Sequence, residues 1–180
     1  MKDFKDKNEV VLIGQIVHVF DTNKNGRMII TLNVGEKNFP KILIWGSLAE
    51  KVKAMPQEHT VIKVIGNIQH SYRNVGITYM IFGTELEEVE PHTRYENKFE
   101  ICGMVRGFSK KKNKTIIYVD TWTNGHFSIV PLTEYYMDEN LLSLDCGQQI
   151  KVKGKFISFV KKSADGNKSY IQEYVVKYYL

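Results

Sequence analysis

The sequence predicts an all-β chain built as two tandem five-stranded barrels, each with a short helix between its third and fourth strands. Three observations carry this expectation. Segments rich in Val, Ile, Thr and aromatic residues recur along the chain, separated by turns bearing Gly and Asn. One helical stretch in the first half falls between its third and fourth extended segments. Two glycine-bearing motifs of the first half return in the second at nearly one spacing.

In the first half, strands are expected over Val10–Phe20, Arg27–Val34, Phe39–Trp45, Thr60–Gln69 and Ile77–Leu86. The intervening turns are Thr22–Gly26, Gly35–Asn38 and Asn74–Gly76. Ser47–Ala54 reads as a helix, with Ser47 as its N-cap and Glu50 three residues on in the manner of a capping box. The segment NEVVLIG at Asn8–Gly14 answers NKFEICG at Asn97–Gly103, and IKVIG at Ile62–Gly66 answers IKVKG at Ile150–Gly154. Gly14 and Gly103 are 89 residues apart and Gly66 and Gly154 are 88 apart, which argues for a duplicated unit. The second unit's helix is expected within Leu132–Leu142, its end ambiguous.

Five strands with a helix after the third is the chain order of the OB-fold, a small Greek-key barrel. The glycines of the first and fourth strands then have a reason, because a strand closing a small barrel must bulge or bend. The expected division is residues 1–88 for the first OB-fold, 89–97 for a polar linker containing Pro91, and 98–180 for the second. Glu85, Glu87, Glu88 and Glu90 read as a solvated strand end and linker, with no histidine or aspartate at metal-ligand spacing beside them.

The net charge of +5 is carried entirely by the second half, since residues 1–90 hold 11 basic and 11 acidic residues. A localised basic surface suits a polyanionic partner. No apolar run approaches the length that spans a bilayer, and the N-terminal MKDFKDKNEVV lacks the apolar core of a secretory signal, so a cytoplasmic chain with no membrane partner is expected. Cys102 and Cys146 are too few for a disulfide framework and are expected to be packed thiols.

Beyond this, the first half resembles a known family over roughly residues 8–88. Asn8–Gly14 resembles the opening strand of bacterial single-stranded DNA-binding proteins. ILIWGSLAE at Ile42–Glu50 is similar to their third strand running through aromatic-Gly-x-Leu-Ala-Glu into the helix, and Gly66 stands at their fourth-strand glycine. The resemblance implies single-stranded DNA as partner, stacking aromatics and a basic residue on the outer face of the third strand, and, by analogy with the family's tetramers, a homo-oligomer such as a dimer. The second half resembles the family only as a diverged repeat. The family's acidic tail has no counterpart in Tyr174–Leu180, so recruitment of partners through such a tail is not expected.

Binding single strands requires aromatic faces for bases and cations along the backbone. Alternation on the third strand puts Phe39, Lys41, Leu43 and Trp45 on one face and Pro40, Ile42 and Ile44 on the other, toward the core. Tyr72 and Arg73 are expected in the loop between strands four and five. In the second unit, Lys110, Lys111, Lys112 and Lys114 are expected to fill the first turn, and Lys161, Lys162 and Lys168 to bracket the turn Ser163–Asn167. Lys151, Lys153 and Lys155 alternate along one face of the fourth strand. Arg106, Phe108, Tyr118, Trp122 and Phe127 are further stacking candidates, some of them claimed by the core.

No phosphate-binding GxxxxGK, HExxH or GxSxG is present, and the histidines His18, His59, His70, His92 and His126 are scattered. The expectation is therefore a sequence-independent single-stranded DNA-binding protein of replication, recombination or mobile-element transfer, without enzymatic activity, metal or cofactor. A protein-binding assembly module and an RNA-binding protein stay open as alternatives.

Overall fold

The computed structural model describes residues 5–22, 25–56, 59–73, 76–135 and 144–179. In the first half, β1 (Lys7–Asp21) pairs antiparallel with both β2 (Arg27–Asn33) and β4 (Val61–Arg73). β2 continues to β3 (Lys41–Trp45), β4 to β5 (Gly76–Val89), and a parallel β3–β5 pair closes the circle. The second half repeats these connections with β6 (Glu96–Lys111), β7 (Lys114–Thr123), β8 (His126–Glu134), β9 (Gln149–Lys162) and β10 (Lys168–Tyr179), closed by a parallel β8–β10 pair. Both halves are OB barrels, as the strand order predicts.

Alternation along the strands builds the core. Val10, Leu12, Ile30, Leu32, Ile42 and Ile44 are fully buried in the first barrel, and Ile101, Ile117, Val119, Val130, Leu132 and Phe156 in the second. The four repeated glycines lie where strands cross closely. A Cβ on Gly14 would collide with the Asn33 carbonyl, on Gly66 with that of Phe82, on Gly103 with that of Asp120, and on Gly154 with that of Val175. Steric closeness, rather than an unusual backbone angle, is what excludes a side chain at these positions. Bulges also recur in register: between Ile16 and His18 of β1 and between Val105 and Gly107 of β6. A second matched pair lies beside Gly66 and Gly154, in the β4–β5 and β9–β10 ladders.

The barrels are joined edge to edge, because β1 also pairs antiparallel with β6. In that ladder Val10 faces Phe99. These residues are themselves 89 apart, so equivalent positions meet at the centre of the pairing and relate the units by an approximate twofold.

Several local expectations are corrected. α1 (Ser47–Ala54) follows β3 and buries Ala49 and Val52, but its N-cap is Gly46 at φ 57°, and no side chain caps it. Gly46 accepts the Glu50 N–H at 3.1 Å, while the Glu50 carboxylate meets Lys53 at 3.1 Å, so the capping box does not form. A positive φ at the entry to the helix selects glycine there. Leu132–Glu134, read as the start of a loop or helix, end β8, and residues 136–143 lie outside the described residues. Tyr72 and Arg73 are the last residues of β4 rather than loop residues. Lys110 and Lys111 end β6 and Lys114 opens β7, leaving only residues 112–113 between the strands. Cys102 is buried, with burial raising its thiol pKa, whereas Cys146 is exposed rather than packed. Among the described residues no helix is long and apolar enough to cross a membrane.

Candidate nucleic-acid interface

The β3 alternation holds in part: Ile42 and Ile44 are fully buried and Lys41 and Trp45 are exposed, but Leu43, expected on the outer face with them, is buried and only lines the groove beside Trp45. Trp45, 44% exposed, meets Phe82 of β5 edge-on at 5.6 Å between ring centroids. The two rings stand in a groove of about 590 Å³ whose other walls include Arg27, Gln69, Met80 and, from the second unit, His126. Register explains the grouping, since Arg27 is the β2 partner of Trp45 and Leu43 pairs with Phe82.

From this groove an aromatic surface continues across the seam between the barrels. His70 lies in the groove wall, and its ring is 5.2 Å from that of Tyr72 and 5.9 Å from that of Phe127 on β8. Phe127 is in turn 6.1 Å from Trp122 on β7. Tyr72 and Trp122 are 71% and 61% exposed, so their faces are open to a ligand. The Ile129 N–H donates to His70 Nδ1 at 3.1 Å, which makes Nδ1 the acceptor nitrogen and fixes the ring across the seam. The Arg106 guanidinium stands 5.7 Å from the Phe127 ring centre. Its Nε bonds Asp120 at 2.6 Å, and that bond raises its pKa further.

A second groove, of about 460 Å³, shares Thr78 and Met80 with the first and runs on between β5 and β10, with Lys41 of β3 on its wall. There the Lys41 ammonium lies 4.5 Å over the Tyr170 ring. Phe39, expected inside the third strand, instead precedes β3, which begins at Lys41; both residues sit on the seam itself. The Phe39 N–H donates to Ser158 Oγ at 2.7 Å, its carbonyl accepts from the Tyr170 hydroxyl, and the Lys41 N–H donates to Gln172 Oε1 at 3.2 Å. The Ser158 N–H returns to Asn38 Oδ1 at 3.0 Å. This lattice holds the two barrels in one orientation.

The predicted lysines divide into two groups. Lys110, Lys111, Lys112, Lys161, Lys162 and Lys168 are exposed at the tips of the β6–β7 and β9–β10 hairpins. Lys153 and Lys155 instead face carboxylates. Glu100 of β6 gathers Lys7 at 3.2 Å, Lys151 at 3.2 Å and Lys153 at 3.9 Å. Lys155 pairs with Glu36 of the first unit. Burial tends to raise the Glu100 carboxyl, but the bonds from Lys151 and Lys7 outweigh it and hold the pKa below the usual value. Lys114 turns inward to Glu173, whose other oxygen accepts the Tyr135 hydroxyl. Burial, with the neighbouring Glu173 charge, pushes the Tyr135 hydroxyl up to about 12. Phe108 is partly exposed on β6 without a close aromatic partner among the described residues. Arg73 closes β4 beside Tyr72.

Arg27, Phe82, His70 and Tyr170 were not singled out by sequence reasoning. Phe82 and Met80 share a face of β5 by simple alternation, a signal equal to the one that exposed Trp45. Arg27 and Tyr170 depend on which strands become neighbours, and no local pattern reveals that.

No protein-family model and no curated protein matches the sequence. Solved structures do. The wild-type single-stranded DNA-binding protein of Thermus aquaticus superposes with a TM-score of 0.70 at 12% identity, covering 98% of this chain and 93% of that one. A deletion variant of the same protein gives a TM-score of 0.72 at 12% identity, covering 98% and 94%. The chain therefore shares, over nearly its whole length, the two-barrel fold of a bacterial single-stranded DNA-binding protein.

Proposed function

We propose that the protein binds single-stranded DNA without sequence preference, in replication, recombination or transfer of a mobile element. The observation that carries the reading is the aromatic surface running from Trp45 and Phe82 through His70 to Tyr72, Phe127 and Trp122. Bases stack on these rings, and because every base has a π-face the contacts do not read sequence. Arg27, Lys41, Arg73 and Arg106, together with the six hairpin-tip lysines, contact phosphates. With about five phosphates neutralised, the slope of log K against log salt is on the order of −3.5. In this reading the expected division at 1–88, 89–97 and 98–180 narrows to two duplicated binding units joined by residues 90–95, because Val89 ends β5 and Glu96 opens β6, and the matched bulges and glycines support descent from one ancestral barrel.

The test is tryptophan fluorescence titrated with oligo-dT, with duplex DNA and oligo-rU as competitors, at two salt concentrations. The chain has two tryptophans, Trp45 and Trp122, one in each unit, so both ends of the aromatic surface report. The expected result is quenching by oligo-dT that weakens with salt, resists duplex DNA, and shrinks in Trp45→Ala. Equal competition by oligo-rU would widen the ligand to RNA. Absence of binding at low salt would overturn the proposal and favour a protein partner for the same aromatic surface.

A further inference from the structure

The two units can be matched rung by rung. Gly66 and Gly154 hold one place in β4 and β9, so Gln69 corresponds to Ile157, and their ladder partners Met80 and Glu173 correspond to each other. The coincident bulges of β1 and β6 make Arg27 correspond to Lys114. The next ladder, continued one residue past its last pair Thr115↔Glu134, makes Trp45 correspond to Tyr135. In the first unit Arg27, Trp45 and Met80 line an open groove. In the second, their counterparts are bonded to one another: Lys114 donates to Glu173 Oε1 and Tyr135 to Oε2. Glu173 is buried, and the Lys114 ammonium also lies 5.8 Å from the centre of the Tyr135 ring.

An oxyanion that takes a cation on one oxygen and a hydroxyl on another presents what a backbone phosphate would present to the same pair. We propose that Glu173 closes the second unit's cleft by standing where a nucleic-acid phosphate would bind. The strand then follows the first unit's groove and the seam, and the second unit contributes Trp122, Phe127, Arg106 and its hairpin lysines, but no base enters its cleft. This inference rests on the single-strand reading above and names the part of the molecule that does not stack bases.

The test compares the full chain with Glu173→Gln and Glu173→Met, the latter placing there the residue that the first unit has. Oligo-dT binding is followed by tryptophan quenching, and lysine accessibility by amine labelling and mass spectrometry with and without oligo-dT. In the unaltered chain, oligo-dT is expected to leave Lys114 labelling low and unchanged while protecting hairpin lysines such as Lys112. In Glu173→Met, Lys114 labelling rises severalfold and falls again with oligo-dT. Affinity tightens by at least about 5-fold, the low end for one added base stack. The salt slope steepens by about 0.7, the value for one more phosphate. Met80→Glu builds the same plug opposite Arg27 and is expected to weaken oligo-dT binding by about 10-fold or more, a test that does not depend on how the Glu173 variants fold. Protection of Lys114 by oligo-dT in the unaltered chain overturns the inference. So does binding by the unaltered chain that all three substitutions leave unchanged in affinity and slope. If neither the chain nor any variant binds oligo-dT, the single-strand reading falls, and this inference with it.

Discussion

Asn97 grips the backbone of Phe156 from both sides: the Phe156 N–H donates to Asn97 Oδ1 at 2.9 Å, and Asn97 Nδ2 donates to the Phe156 carbonyl at 2.8 Å. Asn8 does the same to Ile68, at 2.9 Å and 2.7 Å. Both gripped residues lie two positions past the glycine where pairing with β1 or β6 ends, at Val10↔Gly66 and Phe99↔Gly154. The amide therefore acts as one more rung of the ladder, satisfying backbone groups that have lost their strand partner. Asn8 also reaches Thr121 of the second unit at 3.3 Å.

Asn8→Ala removes two buried bonds to the backbone and leaves the Ile68 groups unsatisfied on that side. The expected loss is about 2–3 kcal/mol of stability, read as a lower urea midpoint at unchanged slope. Asn8→Asp keeps the acceptor for the Ile68 N–H but loses the donor, and is expected to recover little of that loss.

Gly154→Ala places a methyl group against the Val175 carbonyl and the Phe99 ring at once. Neither neighbour is the free end of a flexible chain, so the strands must separate. A destabilisation of about 2–4 kcal/mol is expected. Gly107→Ala, on the same sheet but with open space around the added carbon, is the control and is expected to shift the thermal midpoint far less.

Acid should loosen the junction of the barrels. The Glu100 carboxyl is held below its ordinary 4.5 by Lys151 and Lys7, against the opposing effect of burial. A lowered folded-state pKa means that this stabilisation is complete above the unfolded value and is lost as pH falls through the folded one. Glu100→Gln is therefore expected to lower stability by about 1–2 kcal/mol at neutral pH. The gap should shrink as pH falls below the ordinary carboxyl value of 4.5 and on through the lowered folded one, as urea unfolding across a pH series would register.

Trp122→Ala and Arg106→Ala separate stacking from charge. Loss of the Trp122 ring is expected to weaken oligo-dT binding by about 1–3 kcal/mol with an unchanged salt slope. Loss of Arg106 should flatten the slope by about 0.7. Fluorescence titration at four or more salt concentrations distinguishes the two, and identical slopes for the variants would remove Arg106 from the phosphate contacts.

What was legible in the sequence follows from local chemistry. Alternation told the buried Ile42 and Ile44 from the exposed Lys41 and Trp45, because side chains on a strand must take opposite faces. Repeated glycines and the order of strands and helix specified two OB barrels, because few topologies satisfy that pattern. The partners of each charge were decided only in three dimensions. Lys110 and Lys114 read alike as members of one lysine run, yet one is exposed near a hairpin tip and the other is bonded to Glu173, 59 residues away. The aromatic surface likewise needed the seam: His70 and Phe127 come together only because β1 pairs with β6 and brings the two barrels edge to edge. Even the helix cap followed geometry, since the positive φ at Gly46 overrode the Ser47 and Glu50 pattern. Sequence alone determines which face of a strand a residue occupies and which fold the strands can close into. Which residue from a distant strand then faces it depends on ladder registers, set by bulges and by the packing of whole barrels, and only the tertiary structure decides that.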